Sequence, residues 1–243
     1  FYTNNMGIFN IFKKKTLIEN TIKENKEFKN IELLFKTPLN DRNEHWIKDF
    51  NTSIKQYNFS KNNIEFFEDT KGMNYLNLSL DSNANNKIWD FINFCLENGV
   101  GISINGSKQE SDWIFTFGEL LDYQINGTFY SNEISKPFTG QVIDRYLNGE
   151  QATIGQPSTE YFPDYARSQI KNFLATFGLE NIKIALVWWR ESNRLTLAFE
   201  IIPEMFKNST NDLLNSLLHF IKWYLPNHYD VIFIEGNEDF KEL

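Results

Sequence analysis

The chain has 243 residues, 41% of them hydrophobic and 16% aromatic, so most of it must fold around a sizeable core, and a disordered linker is excluded. Lys and Arg number 24 against 32 Asp and Glu; the formal charge of -8 withholds the basic face that phosphate binding needs and favours a basic partner over nucleic acid. A single cysteine, Cys95, excludes an internal disulfide, and the absence of any apolar run of about 18 to 20 residues or of a secretion signal points to a reducing cytoplasm and to no membrane.

Residues 1–39 read as an N-terminal arm and helix. Met6 has the character of an initiator, which would make residues 1–5 foreign to the natural chain. Gly7 would then stand second, but Ile11 replaces the Ser or Thr that a myristoylation pattern needs. Lys13, Lys14 and Lys15 after a short apolar piece suit a helix start, and "NIELLFKT" fits either helix or strand.

Residues 40–106 predict an αββαβ unit. Its first helix places Trp46, Ile47, Phe50, Ile54 and Tyr57 on one face, behind a capping box from Asp41 to Glu44. Two strand runs, "NIEFFED" and "MNYLNLSLD", flank a Lys71-Gly72 turn. A second apolar helical face (Ile88, Trp89, Ile92, Cys95, Leu96) leads to a short strand with Ile102 and Ile104, and Cys95 reads as buried filler.

Residues 107–161 form a connecting segment with a strand over Asp112 to Phe117 and one or two short helices, and the Gly and Pro residues from Gly149 to Pro163 predict a surface loop. Residues 162–236 repeat the αββαβ order. A helix starts at Pro163 and stops at Gly178, strand runs "NIKIALVWWR" and "RLTLAFEII" flank a Glu191-Ser192-Asn193 turn, and a helix capped by Ser209 or Thr210 runs to Pro226 ahead of a last strand. Residues 237–243 are an acidic tail, expected to be solvated or to serve as a landing site for a basic partner.

The two units align in sequence as well as in order. "DFINFCLENGVGISING" over "HFIKWYLPNHYDVIFIEG" pairs Phe91 with Phe220, Ile92 with Ile221 and Leu96 with Leu225, and after one inserted residue Ile102 with Ile232, Ile104 with Ile234 and Gly106 with Gly236. In each, a period near 3.6 gives way to a period of 2. The expected fold is α+β, with internally duplicated αββαβ units and mainly antiparallel sheets flanked by helices.

Chemistry is sparse. No glycine loop has the spacing of a dinucleotide or P-loop signature, and no nucleophile elbow occurs, so no cofactor is expected. His45, His219 and His228, with Asp230 and Glu235, could at most make a two-histidine metal site, and capping or surface roles suit them better. Glu110 with Asp112, and Glu119 with Asp122, are the paired acids; the second pair shares a helix face with no base or nucleophile beside it in sequence. Trp188, Trp189 and Arg190 have interface composition, and on a strand the burial of one Trp turns the other outward. Tyr161, Phe162 and Tyr165 form a second aromatic group.

The stretch "IGQPSTEYFPDYARSQIKNFLATFGLENIKIALVWW", from Ile154 to Trp189, resembles SseB-like bacterial proteins, and the duplicated α+β plan is similar to small immunity proteins of bacterial toxin systems. The resemblance implies a cytoplasmic, non-catalytic protein that binds another protein. The reading that joins these observations is an immunity protein that occludes a cognate toxin, its partner a basic secreted enzyme, with Trp188, Trp189, Arg190, Tyr161, Glu119, Asp122 and Glu238 as contacts. The alternatives are a hydrolase that gathers Glu119, Asp122 and a histidine, and an adaptor with a different partner.

Overall fold

A strand buried on both faces needs cover on both, and the second half of this chain is built around one. In the computed structural model, which describes residues 29–106, 111–131, 133–134, 136–147, 149–206 and 211–243, the chain divides into two units, 1–53 and 54–243. The readings of Met6, Gly7, Lys13 to Lys15, Glu110, Ser209 and Thr210 lie outside the described residues.

In the first unit, helix α1 (Ile31–Phe35) settles the ambiguous segment: Asn30 Oδ1 accepts the Glu32 amide at 2.8 Å and starts the turn. Helix α2 (Glu44–Ile54) is capped by Asn43, whose Oδ1 accepts the Trp46 amide at 3.1 Å, and not by Asp41, which ends a 3₁₀ turn over Leu39–Asp41. Trp46 stacks on Phe50 with ring centroids 4.9 Å apart and donates its indole N–H to Leu34 O.

The second unit carries two sheets. The first has the order β1 (Phe59–Glu68), β2 (Asn74–Leu80), β3 (Gly101–Ile104), β4 (Trp113–Phe115). Strands β1 and β2 are antiparallel, and β3 lies parallel to β2 after a crossover through helix α3 (Trp89–Asn98), whose Cys95 is buried. The connecting segment supplies β4 and helix α4 (Phe117–Asn126).

The second sheet has the order β5 (Phe138–Leu147), β6 (Glu150–Pro157), β7 (Lys183–Trp189), β8 (Arg194–Glu200), β9 (Asp230–Ile234), with β10 (Lys241–Glu242) beside the start of β7. Helix α5 (Asp164–Ala175) precedes β7, and helix α6 (Asn211–Trp223) carries the chain from β8 to a parallel β9. The α+β class with mainly antiparallel sheets is therefore the observed one. The two predicted units also share a pairing pattern: an antiparallel hairpin, then a helix, then a strand parallel to the second hairpin strand. Their aligned glycines close both parallel strands at crowded points. A Cβ on Gly106 would stand 2.3 Å from Ser103 Oγ, and one on Gly236 2.6 Å from the Glu200 carboxyl group.

Two expectations are corrected. The predicted loop after Gly149 is instead β6, an interior strand with Ala152, Thr153 and Ile154 buried, and with β5 it extends the second sheet. The acidic end is not a solvated tail. Phe240 is buried among Ala152, Ile154, Ala185, Val187, Trp189 and Ala198, and the segment is strapped down by Arg145 Nε to Asp239 Oδ2 at 3.0 Å and by Leu243 N to Ile182 O at 2.9 Å. The pattern Phe240-Lys241 between acids concealed one apolar plug in a charged run.

Phe240→Ala should lower stability by about 3 kcal/mol, the usual cost of emptying a buried aromatic site. A urea titration followed by tryptophan fluorescence reads this directly, and an unchanged midpoint would show that the plug contributes nothing.

Candidate functional site

Register places the exposed groups of the second sheet. Asp144 opposes Thr153, Thr153 opposes Trp188, and Trp188 opposes Leu195, so four side chains form a row across four strands on one face. The next row joins Tyr146, opposite Gln151, to Arg190, whose amide donates to Gln151 O at 3.1 Å. Val142 lies over Gly155 on the same face, since a Cβ on Gly155 would come within 2.9 Å of Val142 Cγ1. Val142, Tyr146 and Trp188 are 44%, 77% and 38% exposed, which makes them an apolar patch rather than scattered residues.

A held charge pair sits inside this patch. Arg190 Nη2 donates to Asp144 Oδ1 at 2.6 Å and to Thr153 Oγ1 at 3.1 Å, and Thr153 Oγ1 donates to Asp144 Oδ1 at 2.8 Å. The guanidinium lies 5.8 Å from the Trp188 ring centre, and the indole N–H donates to Asn193 Oδ1 at 3.2 Å. Rigid aromatic area beside a fixed arginine is suited to recognition, because little side-chain freedom is lost on contact.

Of the predicted contacts, the structure brings Trp188 and Arg190 together and separates the rest from them. Trp189 points to the opposite face, 4% exposed, with Nε1 donating to Thr196 Oγ1 at 3.1 Å. Tyr161 is 2% exposed and stacks on Tyr229 with centroids 4.1 Å apart, so it is core and not an anchor. Glu238 is exposed on the C-terminal strap, 3.4 Å from Arg145, which alternates with Asp144 and so lies across β5 from the patch. Tyr146, Asp144, Thr153 and Val142 escaped the sequence reading. The signal is there in "QVIDRY", with Val142, Asp144 and Tyr146 at every second position, but it is short and mostly polar, and the connecting segment reads as short helices here rather than as a strand.

The acids of α4 form a separate, internal knot. Thr116 Oγ1 accepts the Glu119 amide at 3.2 Å while Glu119 Oε2 accepts the Thr116 amide at 2.8 Å, a complete capping box. Asn227 Nδ2 donates to Glu119 Oε1 at 3.3 Å. The helix meets the 225–229 turn closely enough that a Cβ on Gly118 would fall 1.9 Å from Leu225 O, so only glycine fits there. Asp122, 1% exposed, accepts from Asn126 Nδ2 at 2.8 Å and from the Ser131 amide at 2.7 Å. His228 stands near Asp122 without an ion pair at contact distance, its ring edge-on to Tyr229.

These acids are therefore engaged within the fold: Asp122 and His228 share a neighbourhood, Glu119 and Asn227 an adjoining one. The cavities of about 280 Å³ beside Gln124 and Tyr165, and about 420 Å³ beside Ile143 and Asp239, are lined by other residues. His219 pairs with Lys71 Nζ at 3.2 Å, His45 lies in the first unit, and among the described residues no group of three or more His, Cys, Asp and Glu could hold a metal ion. Also among them, no helix is long and apolar enough to cross a membrane. Comparison with protein-family models, curated proteins and solved structures gives no match.

Burial raises the Glu119 carboxyl from 4.5 to about 7, against the opposing pull of the Thr116 amide and Asn227. A raised folded-state value stabilises fully below pH 4.5 and loses that contribution as pH rises through about 7. Glu119→Gln keeps the capping geometry and removes the titration. Relative to the wild type it should gain roughly 2 kcal/mol between about pH 5 and 8, a figure reduced from the full shift because part of Glu119 still reaches solvent. Urea unfolding at both pH values decides this, and parallel losses in both proteins would assign the pH dependence elsewhere.

Proposed function

We propose that this chain is a non-catalytic protein-binding module, and most concretely an immunity protein that neutralises a cognate bacterial toxin by occluding it in the cytoplasm. The observation that carries the reading is the patch of Trp188, Tyr146 and Val142 around the Asp144–Arg190 pair, since solvent-exposed aromatics beside an arginine, here with Trp188 fastened through its indole N–H, are what interfaces select. The charge of -8 favours a basic partner and fast encounter. The resemblance of Ile154 to Trp189 to SseB-like proteins, and of the repeated αββαβ plan to immunity proteins, supports the same reading. Descent of both units from one ancestral half belongs to the proposal, supported by the shared pairing order and the aligned glycines.

The hydrolase reading has one observation in its favour, the neighbourhood of Asp122 and His228. Against it, both Asp122 oxygens are occupied by structural donors, one holding Asn126 and the other the Ser131 amide. An adaptor with another partner would use the same patch and differs only in what it grips.

Pull-down from the native host at moderate salt should retain a basic protein whose activity is lost in the complex. Trp188→Ala and Tyr146→Ala should each weaken that complex by about tenfold or more, as truncation of an interface aromatic does. Retention should also fall as salt rises. Equal capture by wild type and both variants would remove the patch from the interface, and a captured protein that stays fully active would leave the adaptor reading in place of the immunity one.

A further inference from the structure

Strand β5 ends its sheet, with β6 as its one neighbour there, and the direction of the main-chain groups on its open side follows from register. Gln151 turns its carbonyl to the Arg190 amide, on the β7 side. In an antiparallel pair the residue opposite must then turn its own N–H and C=O away from β6, and that residue is Tyr146. Asp144, two residues earlier in unbroken register, is oriented alike. Among the described residues no hydrogen bond reaches the main chain of either. The groups that a further strand would bind thus belong to two residues whose side chains lie in the aromatic patch.

Native sheets guard such an edge with Lys, Pro, a bulge or covering structure. Strand β5 contains neither Lys nor Pro, and none of its 10 residues is buried. Its one irregularity lies between Thr139 and Ile143, where Gly140 takes φ 68°, and it leaves Ile143 to Leu147 in regular pairing. Its two charges are matched within the fold, Asp144 by Arg190 and Arg145 by Asp239. The opposite end of the sheet differs, because β9 has no exposed residue.

We infer, on the reading of this face as a protein-binding surface, that β5 takes an extended segment of the partner as an added antiparallel strand, with a basic side chain opposite Asp144 and apolar ones opposite Val142 and Tyr146. An edge of unpaired N–H and C=O groups is answered in full by another main chain, and this selects the class of occupant. Side chains opposite one another share a face, so those of the added strand lie against the patch. The exposed Val142 and Tyr146 call for apolar neighbours. Asp144 calls for a cation: its Oδ1 accepts from Arg190 and Thr153, while Oδ2 accepts from none of the described residues, and the side chain is half-exposed. The net charge of -8 favours a basic segment over an acidic one, and over a second copy of a chain with the same charge.

The probe is the capped peptide Thr-Val-Thr-Lys-Thr-Val-Thr, whose Lys and two Val lie on one face of a strand. In amide exchange on the whole chain, saturating peptide should slow the Asp144 and Tyr146 amides about tenfold and leave Arg145, whose N–H faces β6, unchanged. N-methylation of the Lys amide, which faces β5 in this pairing, should abolish the effect, whereas N-methylation of the Thr before it, whose N–H faces away, should not. Glu in place of Lys should weaken binding about fivefold. Unchanged exchange at Asp144 and Tyr146, equal effects of the two methylations, or a Glu peptide that binds as well as the Lys one would each overturn the strand addition. So would slowing without peptide that grows with protein concentration, which would give the edge to a second copy. If Trp188→Ala and Tyr146→Ala weaken the captured complex while the peptide slows neither amide, the patch stands and the added strand falls. If the peptide slows both amides while the two variants capture as well as the wild type, the edge takes a strand and the reading of the patch falls.

Discussion

The structure depends on strand β7 being covered from both sides. Ile184 and Leu186 face one way, Ala185, Val187 and Trp189 the other, and all are buried. Because side chains on a strand alternate strictly, this double burial fixes the direction of every later residue. Trp189 must go in with Ala152, Val187 and Phe240, so Trp188 must share the face of Leu186, at the end of the strand where cover has run out. The exposed Trp is thus a consequence of core packing two residues away. Arg190 follows it onto that face for the same reason, and β5 and β6 complete the patch because their register brings Asp144 and Thr153 alongside.

Much of this was legible in the chain. The two αββαβ orders follow from the switch between periods of 3.6 and 2, and the runs around Ile102 and Ile232 are strands as expected; that both lie parallel to the second hairpin strand, and that Gly106 and Gly236 stand at crowded points, is visible only in the structure. The alternation of Trp188 and Trp189 was readable too. What sequence could not give was partnership across long separations. The β5–β6 hairpin has turn-like residues at both ends and an exposed outer strand, so its alternation is polar and short of the apolar signal on which strand prediction rests. Phe240 lies in a run of acids, where local composition says solvent; only the hollow of small side chains at Ala152, Ala185 and Ala198 explains why it turns inward.

The acids of α4 show the same limit from the opposite side. Three residues apart on a helix, Glu119 and Asp122 look like a pair facing water. Glu119 is instead spent on the capping box and Asp122 on a loop that returns from Ser131, nine residues on. Such roles are invisible in a helical wheel, since they are set by the Thr116 cap on one side and by the close approach of Gly118 to Leu225 on the other. A carboxylate that accepts several amide hydrogen bonds organises the backbone around it, and here the cost is its own desolvation, which moves both acids toward their neutral forms.

That desolvation changes what the net charge means. The formal -8 counts every acid equally, yet Glu119 is held partly protonated near neutrality, and Asp144 and Asp239 are matched by Arg190 and Arg145. The field that a basic partner would sense comes from exposed carboxylates such as Glu97, Glu191 and Glu238, while the aromatic patch is locally close to neutral. In the proposed complex, long-range attraction and short-range grip would therefore reside in different residues. Charge at a rim governs how fast partners meet, and buried aromatic area governs how slowly they part. On the proposed reading, such a surface would tighten its hold through Trp188 and Tyr146 without altering its rate of encounter, because neither side chain carries a charge.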